Sequence, residues 1–169
     1  KAKDLAANGY RKGVPMGGDL KARRGRKAPT FLVAAMKDPQ GANLDRVQIV
    51  KGWVEADGST QERIYDVAVS GGRSIGTDGR CTTAVGNTVD LNSGQYRNDI
   101  GAAELHTVWR DPHFDPAQRA FYYARVLEIP TPRYSLLDSI ALGKPWEDTG
   151  RPATIQERVY GSPIWYTPR

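Results

Sequence analysis

The stretch Leu44–Val69 reads LDRVQIVKGWV, EADGSTQE, RIYDVAV, and the fold follows from it. In the first part Val47, Ile49 and Trp53 alternate with Arg46, Gln48 and Gly52, the two-residue period of a half-buried strand. In the last part Tyr65, Val67 and Val69 alternate with Ile64, Asp66 and Ala68 in the same way. Between them Asp57-Gly58 supplies the small, φ-permissive pair that a chain reversal favours. The connection exceeds two residues, so a broad antiparallel hairpin is expected, with Val47 and Ile49 buried.

Working outward, 169 residues suit one domain with a core of its own. Eighteen Gly and eleven Pro favour short strands and turns over a helical bundle. The single cysteine, Cys81, rules out an internal disulfide framework. No apolar run approaches the roughly 20 residues that cross a bilayer, so no membrane span is expected. The chain opens Lys-Ala-Lys-Asp, without an initiator Met or an apolar signal region, an absence that is uninformative if the first residue lies, as expected, inside a longer protein. Its net charge of +5 is local: residues 1–27 carry nine Lys or Arg and two Asp, the remainder fifteen against seventeen acids. The basic run is KARRGRK (Lys21–Lys27), with no aromatic residue interleaved to stack on bases. It reads as a solvated surface connection, and no nucleic-acid partner is expected.

Residues 1–29, rich in Gly, Lys and Arg, read as an irregular basic connecting segment with a short helix near Lys3–Ala7. Residues 30–169 read as a β-sandwich-like domain. In PTFLVAAMKD, Phe31, Val33 and Ala35 face one way and Leu32, Ala34 and Met36 the other, which implies a strand covered on both sides. Residues 70–99 are loop-like, with Thr88–Leu91 suited to brief pairing. Ala103, Leu105, Thr107 and Trp109 then alternate with Glu104, His106 and Val108. Asp115 before Pro116 suggests an N-cap and about one helical turn. FYYARVLEI (Phe121–Ile129), aromatic and β-branched, is the strongest strand and belongs at a sheet centre. Ser135 and Asp138 form a capping-box pattern, Leu136, Leu137, Ile140 and Ala141 an apolar stripe, and Gly143 a stop. Pro163 before Ile164-Trp165-Tyr166 marks a strand beginning or an edge. The class is mostly β: an antiparallel β-sandwich-like domain with long loops and one or two short helices.

Little in the chain resembles a reaction centre. Asp111, His113 and Asp115 alternate as metal ligands would, but prolines punctuate them and only one other histidine, His106, exists. Asp38, Asn43 and Asp45 around Gly41 offer oxygens for Ca²⁺ without EF-hand spacing, and such residues in turns usually bond their own backbone. Cys81 lies beside Arg80 but has no neighbouring histidine to act as base. There is no Walker-type phosphate loop, dinucleotide fingerprint or nucleophile elbow. Trp53, Trp109, Trp146 and Trp165 are candidates for a sugar-binding face, although two of them fall at inward strand positions. No residue is assigned a catalytic, cofactor-binding or metal-binding role.

Five segments carry a resemblance: GVPMGGDL (Gly13–Leu20), DPQGANLDRVQIVKGWV (Asp38–Val54), IGAAEL (Ile100–Leu105), DPAQRAFYYARVLEIPTPR (Asp115–Arg133) and PATIQERVYGSPIWYTP (Pro152–Pro168). With them the chain resembles the carboxy-terminal portion of a bacterial domain-of-unknown-function family, DUF3604. The resemblance implies a protein several times longer, whose preceding portion is similar to a PHP-type (polymerase and histidinol phosphatase-like) metal-dependent hydrolase barrel. It also implies an uncharacterised, non-catalytic accessory domain at the end of that protein. Any divalent metal would sit in the upstream portion, none in this fragment, and the first partner would be the barrel of the same chain. Export signals common in the family imply a periplasmic or secreted location. Related barrels end in a β-sandwich whose last strand runs small-Pro-Ile-aromatic, as Ser162-Pro163-Ile164-Trp165 does.

Three functions compete. The first is the accessory domain packed against its barrel, for which a large apolar patch on a sheet face or on the 136–141 helix would speak. The second is an independent sandwich that binds carbohydrate or another surface ligand, for which an exposed row of Trp and Tyr would speak. In the third, Met16–Asp19 or Arg133–Tyr134 completes the parent's substrate pocket.

Overall fold

A computed structural model describes residues 5–22 and 27–168. The centre of the basic run, Arg23 to Arg26, lies outside the described residues, as does the start of the helix expected near Lys3–Ala7. Alternating apolar positions build a main sheet of β1 (Asp19–Lys21), β10 (Ile164–Thr167), β6 (Ala120–Glu128), β3 (Leu44–Val54) and β4 (Thr60–Val69), in that spatial order. A further strand, β9 (Arg158–Tyr160), pairs with the far end of β6. All pairings are antiparallel except β1 with β10. A second layer, the antiparallel pair β2 (Thr30–Met36) and β5 (Glu104–Arg110), lies across one face. The outliers are α1 (Leu5–Lys12), α2 (Tyr134–Ala141), a 3-10 turn at Trp146–Thr149 and the small ladder of β7 (Thr131–Pro132) with β8 (Thr154–Ile155). The domain is mostly β and sandwich-like.

The hairpin forms where its sequence placed it. Gly58 takes φ +85°, Gly58 N donates to Glu55 O at 3.0 Å, and Asp57 Oδ1 accepts the amide of Ser59 at 2.9 Å. Between Val47 and Gln48 the register slips by one residue on β4, a bulge at Val67. β3 is not half-buried, however: Asp45, Gln48, Val50 and Lys51 are buried as well. β4 lies on one side of it, β6 on the other, and connecting chain covers its outer end. β6 takes the central place expected of it, and Phe31, Val47, Ile49, Tyr65, Leu105 and Tyr122 form the core between the layers.

Other expectations give way. β2 is covered on one side only: Phe31 is buried, whereas Leu32 is 43% and Met36 74% exposed, because among the described residues no third layer lies above its sheet. Residues before Thr30 are not uniformly irregular, since β1 joins the edge of the main sheet beside β10. The stretch after Asp115 makes a turn, not a helix: Asp115 Oδ1 binds the amide of Ala117, and the chain straightens into β6. Thr88–Leu91 forms no strand. The capping box at Ser135 is not made either. The N-cap of α2 is Arg133 without a side-chain bond, and Ser135 is buried inside the first turn. Gly143 ends that helix at φ +61°, as expected.

Ile49 is 2% exposed at the centre of the core. Ile49→Ala should lower unfolding stability by about 2–5 kcal/mol, the range for large-to-small changes in a packed core. Urea denaturation followed by circular dichroism measures it. A loss under about 1 kcal/mol would place the core elsewhere.

Candidate functional site

Lys51 stands on the inward face of β3 between Ile49 and Trp53 and is only 2% exposed. An ammonium group buried there is tolerable only if paired. Its Nζ donates to Asp111 Oδ2 at 2.7 Å and to His113 O at 2.7 Å, and lies 5.3 Å from the Trp53 ring centroid. Asp111 also accepts from the Tyr122 hydroxyl at 2.8 Å and, through Oδ1, from the His113 amide at 2.8 Å. Burial first, then the Asp111 charge, pushes the Tyr122 hydroxyl far above the ordinary phenol range, so it remains a protonated donor. The Tyr65 hydroxyl, raised chiefly by burial, lies 3.1 Å from His113 Nδ1. Each charge in this cluster is occupied in holding the 111–119 connection against the sheet, an arrangement suited to a strut.

A second polar cluster occupies the outer side of the main sheet. Asp66, on β4, accepts from Arg46 Nη1 at 3.1 Å, Gln48 Nε2 at 2.7 Å and the Cys81 amide at 2.7 Å. Asp45 receives Arg46 Nε at 3.1 Å, Arg73 Nη2 and Gln156 Nε2 at 2.9 Å. Burial opposes the Arg46 charge, but Asp45 and Asp66 outweigh it and hold the guanidinium above its usual value. These bonds clamp the long 70–99 connection onto its own sheet.

The residues singled out from sequence are dispersed among such structural duties. His113 is exposed and turned to Tyr65, Asp115 caps a turn, and His106 lies on the open side of β5. Asp38 binds the Gln40 amide, Asn43 donates to Asn98 O and Ile100 O, and Asp45 serves arginines, so the three build no calcium cage. Among the described residues no three His, Cys, Asp or Glu converge as a metal set. Cys81 is buried, its Sγ 3.6 Å from Thr83 O. A cleft of about 240 Å³ beside Tyr65, Trp109 and His113 is smaller than the roughly 300–1,000 Å³ typical of ligand pockets. Met16 is exposed, and Asp19 is paired in register with Trp165. Arg133 lies 5.8 Å from the Tyr134 ring, and its Nε, like Ser135 Oγ, is buried without a protein partner among the described residues.

Among the described residues, two surfaces of the sheets stand out as not spent on structure. On the open side of the second layer, Leu32 sits directly opposite Val108, which is 68% exposed, with Ala34 and Met36 alongside. On the outer side of the main sheet, Trp165, Phe121, Tyr123 and Tyr160 form a continuous aromatic row, with neighbouring ring centroids 5.4, 6.3 and 6.2 Å apart. Sequence reasoning placed Trp53 and Trp109 inward, and both pack on the core. It missed the row, whose members come from three strands, β6, β9 and β10; the outward alternation of Phe121, Tyr123 and Trp165 was the available signal.

A family model described as Protein of unknown function (DUF3604) matches residues 1–168. No curated protein and no solved structure matches the chain.

If the inner cluster is a strut, Lys51→Met should cost about 3–5 kcal/mol by leaving Asp111 buried and unpaired. Lys51→Met combined with Asp111→Asn should cost less than the two single changes added together. A double-mutant cycle in urea reads the coupling, and additive losses would show that the pair is not energetically joined.

Proposed function

Because the chain belongs to the DUF3604 family, we propose that it is the non-catalytic, carboxy-terminal accessory domain of a longer bacterial protein with a PHP-like metal-dependent hydrolase portion upstream. The carrying observation is the open face of the second layer. The β2 sequence is apolar on both sides, the pattern of a strand covered twice, yet this chain covers it once. Leu32, Ala34, Met36 and Val108 make an apolar strip on this face, bordered by His106 opposite Ala34 and Glu104 opposite Met36, of the kind that marks an interaction surface. The upstream portion of the same chain is its occupant, and docking there supplies the missing cover. Lys51, Asp111 and Asp66 serve the domain's own architecture, in keeping with a supporting role.

Two measurements test this. The isolated chain, given Zn²⁺ or Mn²⁺, should not turn over phosphoester or ester substrates; metal-dependent turnover lost on His113→Ala would overturn the reading. In the longer protein, backbone amides of 30–36 and 104–110 should exchange with deuterium more slowly than in the isolated chain. Val108→Asp should abolish that difference while leaving the isolated chain folded. Equal exchange in both would remove the docking face.

A further inference from the structure

We infer that the aromatic row on the outer side of the main sheet is a binding platform for a linear, neutral saccharide of the β-linked gluco type. Directly paired residues share a face of a sheet, so the register defines the platform. Phe121 is opposite both Gly52 and Trp165, and Tyr123 is opposite Val50. A Cβ at Gly52 would strike the Phe121 ring, so glycine at this strand position lets the ring lean across β3. Val50, across from Tyr123, is fully buried even though it points to the outer side. The Phe121 and Tyr123 rings are within 9° of parallel. Trp165 and Tyr160, at the two ends, remain 48% and 53% exposed.

Around these rings stands a polar margin of mixed charge. Asp19 is in register with Trp165, Glu62 with Gly52, and Arg125 with Tyr160; Lys21 and Arg158 lie on the same side. Arg125 is fixed by its Nε bond to Gln48 Oε1 at 2.7 Å, and Gln48 is in turn held by Asp66. A pyranose with equatorial substituents has the complementary form: two faces of C–H groups and an equator of hydroxyls that both donate and accept. Its faces suit the rings, and its hydroxyls suit a rim with acids and bases in near balance. A nucleic acid would instead call for a continuous positive track, which Asp19 and Glu62 interrupt. Position separates this platform from the docking face, because the two lie on opposite sides of the sandwich.

The test is isothermal titration of the chain with cellohexaose and chitohexaose, with Trp165 fluorescence as a second readout. Saturable binding of at least one is expected, with weakening of about tenfold or more in both Trp165→Ala and Tyr160→Ala. Val108→Asp, on the other side of the domain, should bind like the parent chain, and circular dichroism confirms that each variant is folded. No saturable binding of either sugar at millimolar concentration would overturn the inference. So would sugar binding unchanged in both aromatic variants, or an oligothymidylate that binds in place of the sugars and is lost in those variants.

Discussion

One ammonium group inside the sandwich, that of Lys51, constrains much of what surrounds it. It lies on β3, beside the central strand β6, faces the core, and must find a carboxylate and a further acceptor without reaching water. Asp111 and the carbonyl of His113 provide them, which fixes the end of β5 over β3. Tyr122 donates to the same carboxylate, so β6 is tied to the same point. Hydrophobic burial brings the layers together but leaves their relative slide loosely specified. A buried charge with few acceptable positions restricts that slide.

The outer side of the main sheet shows the same logic with a different result. Asp45 is buried on β3 and Asp66 on the edge strand β4, and the groups that neutralise them come from β3 itself and from the 70–99 connection. That connection has almost no regular structure, yet Arg73 and the Cys81 amide give it fixed anchor points. Its turn-rich composition therefore describes its backbone, not freedom of position.

How much of this was legible in the sequence depends on the range of the interactions involved. The hairpin, β6 and the inward residues of β5 follow from alternation and turn chemistry, which are local, and they were legible. Asp66 looked like an ordinary polar position of a half-buried strand and Lys51 drew no reading at all, because partners 15 and 60 residues away leave no local trace. Ser135 matched a capping pattern, but the extended Arg133 before Tyr134 starts the helix two positions early and takes the hydroxyl out of capping reach. The β2 pattern misled differently. It correctly reports a strand with two apolar sides, and the second side faces outward from this chain.

The aromatic row was illegible for a related reason. Phe121 and Tyr123 lie on β6, Tyr160 on β9 and Trp165 on β10, and only the sheet order makes them neighbours. That order also decides whether the two free surfaces compete. The main sheet turns one face to β2 and β5 and the other to the aromatic row; β2 and β5 turn their own free face away from the main sheet. A body docked on Leu32 and Val108 therefore approaches from the side opposite Trp165 and Tyr160. An accessory domain held through its second layer would keep its aromatic face open to solution, so attachment to a larger protein and recognition of a ligand can proceed together on one small sandwich.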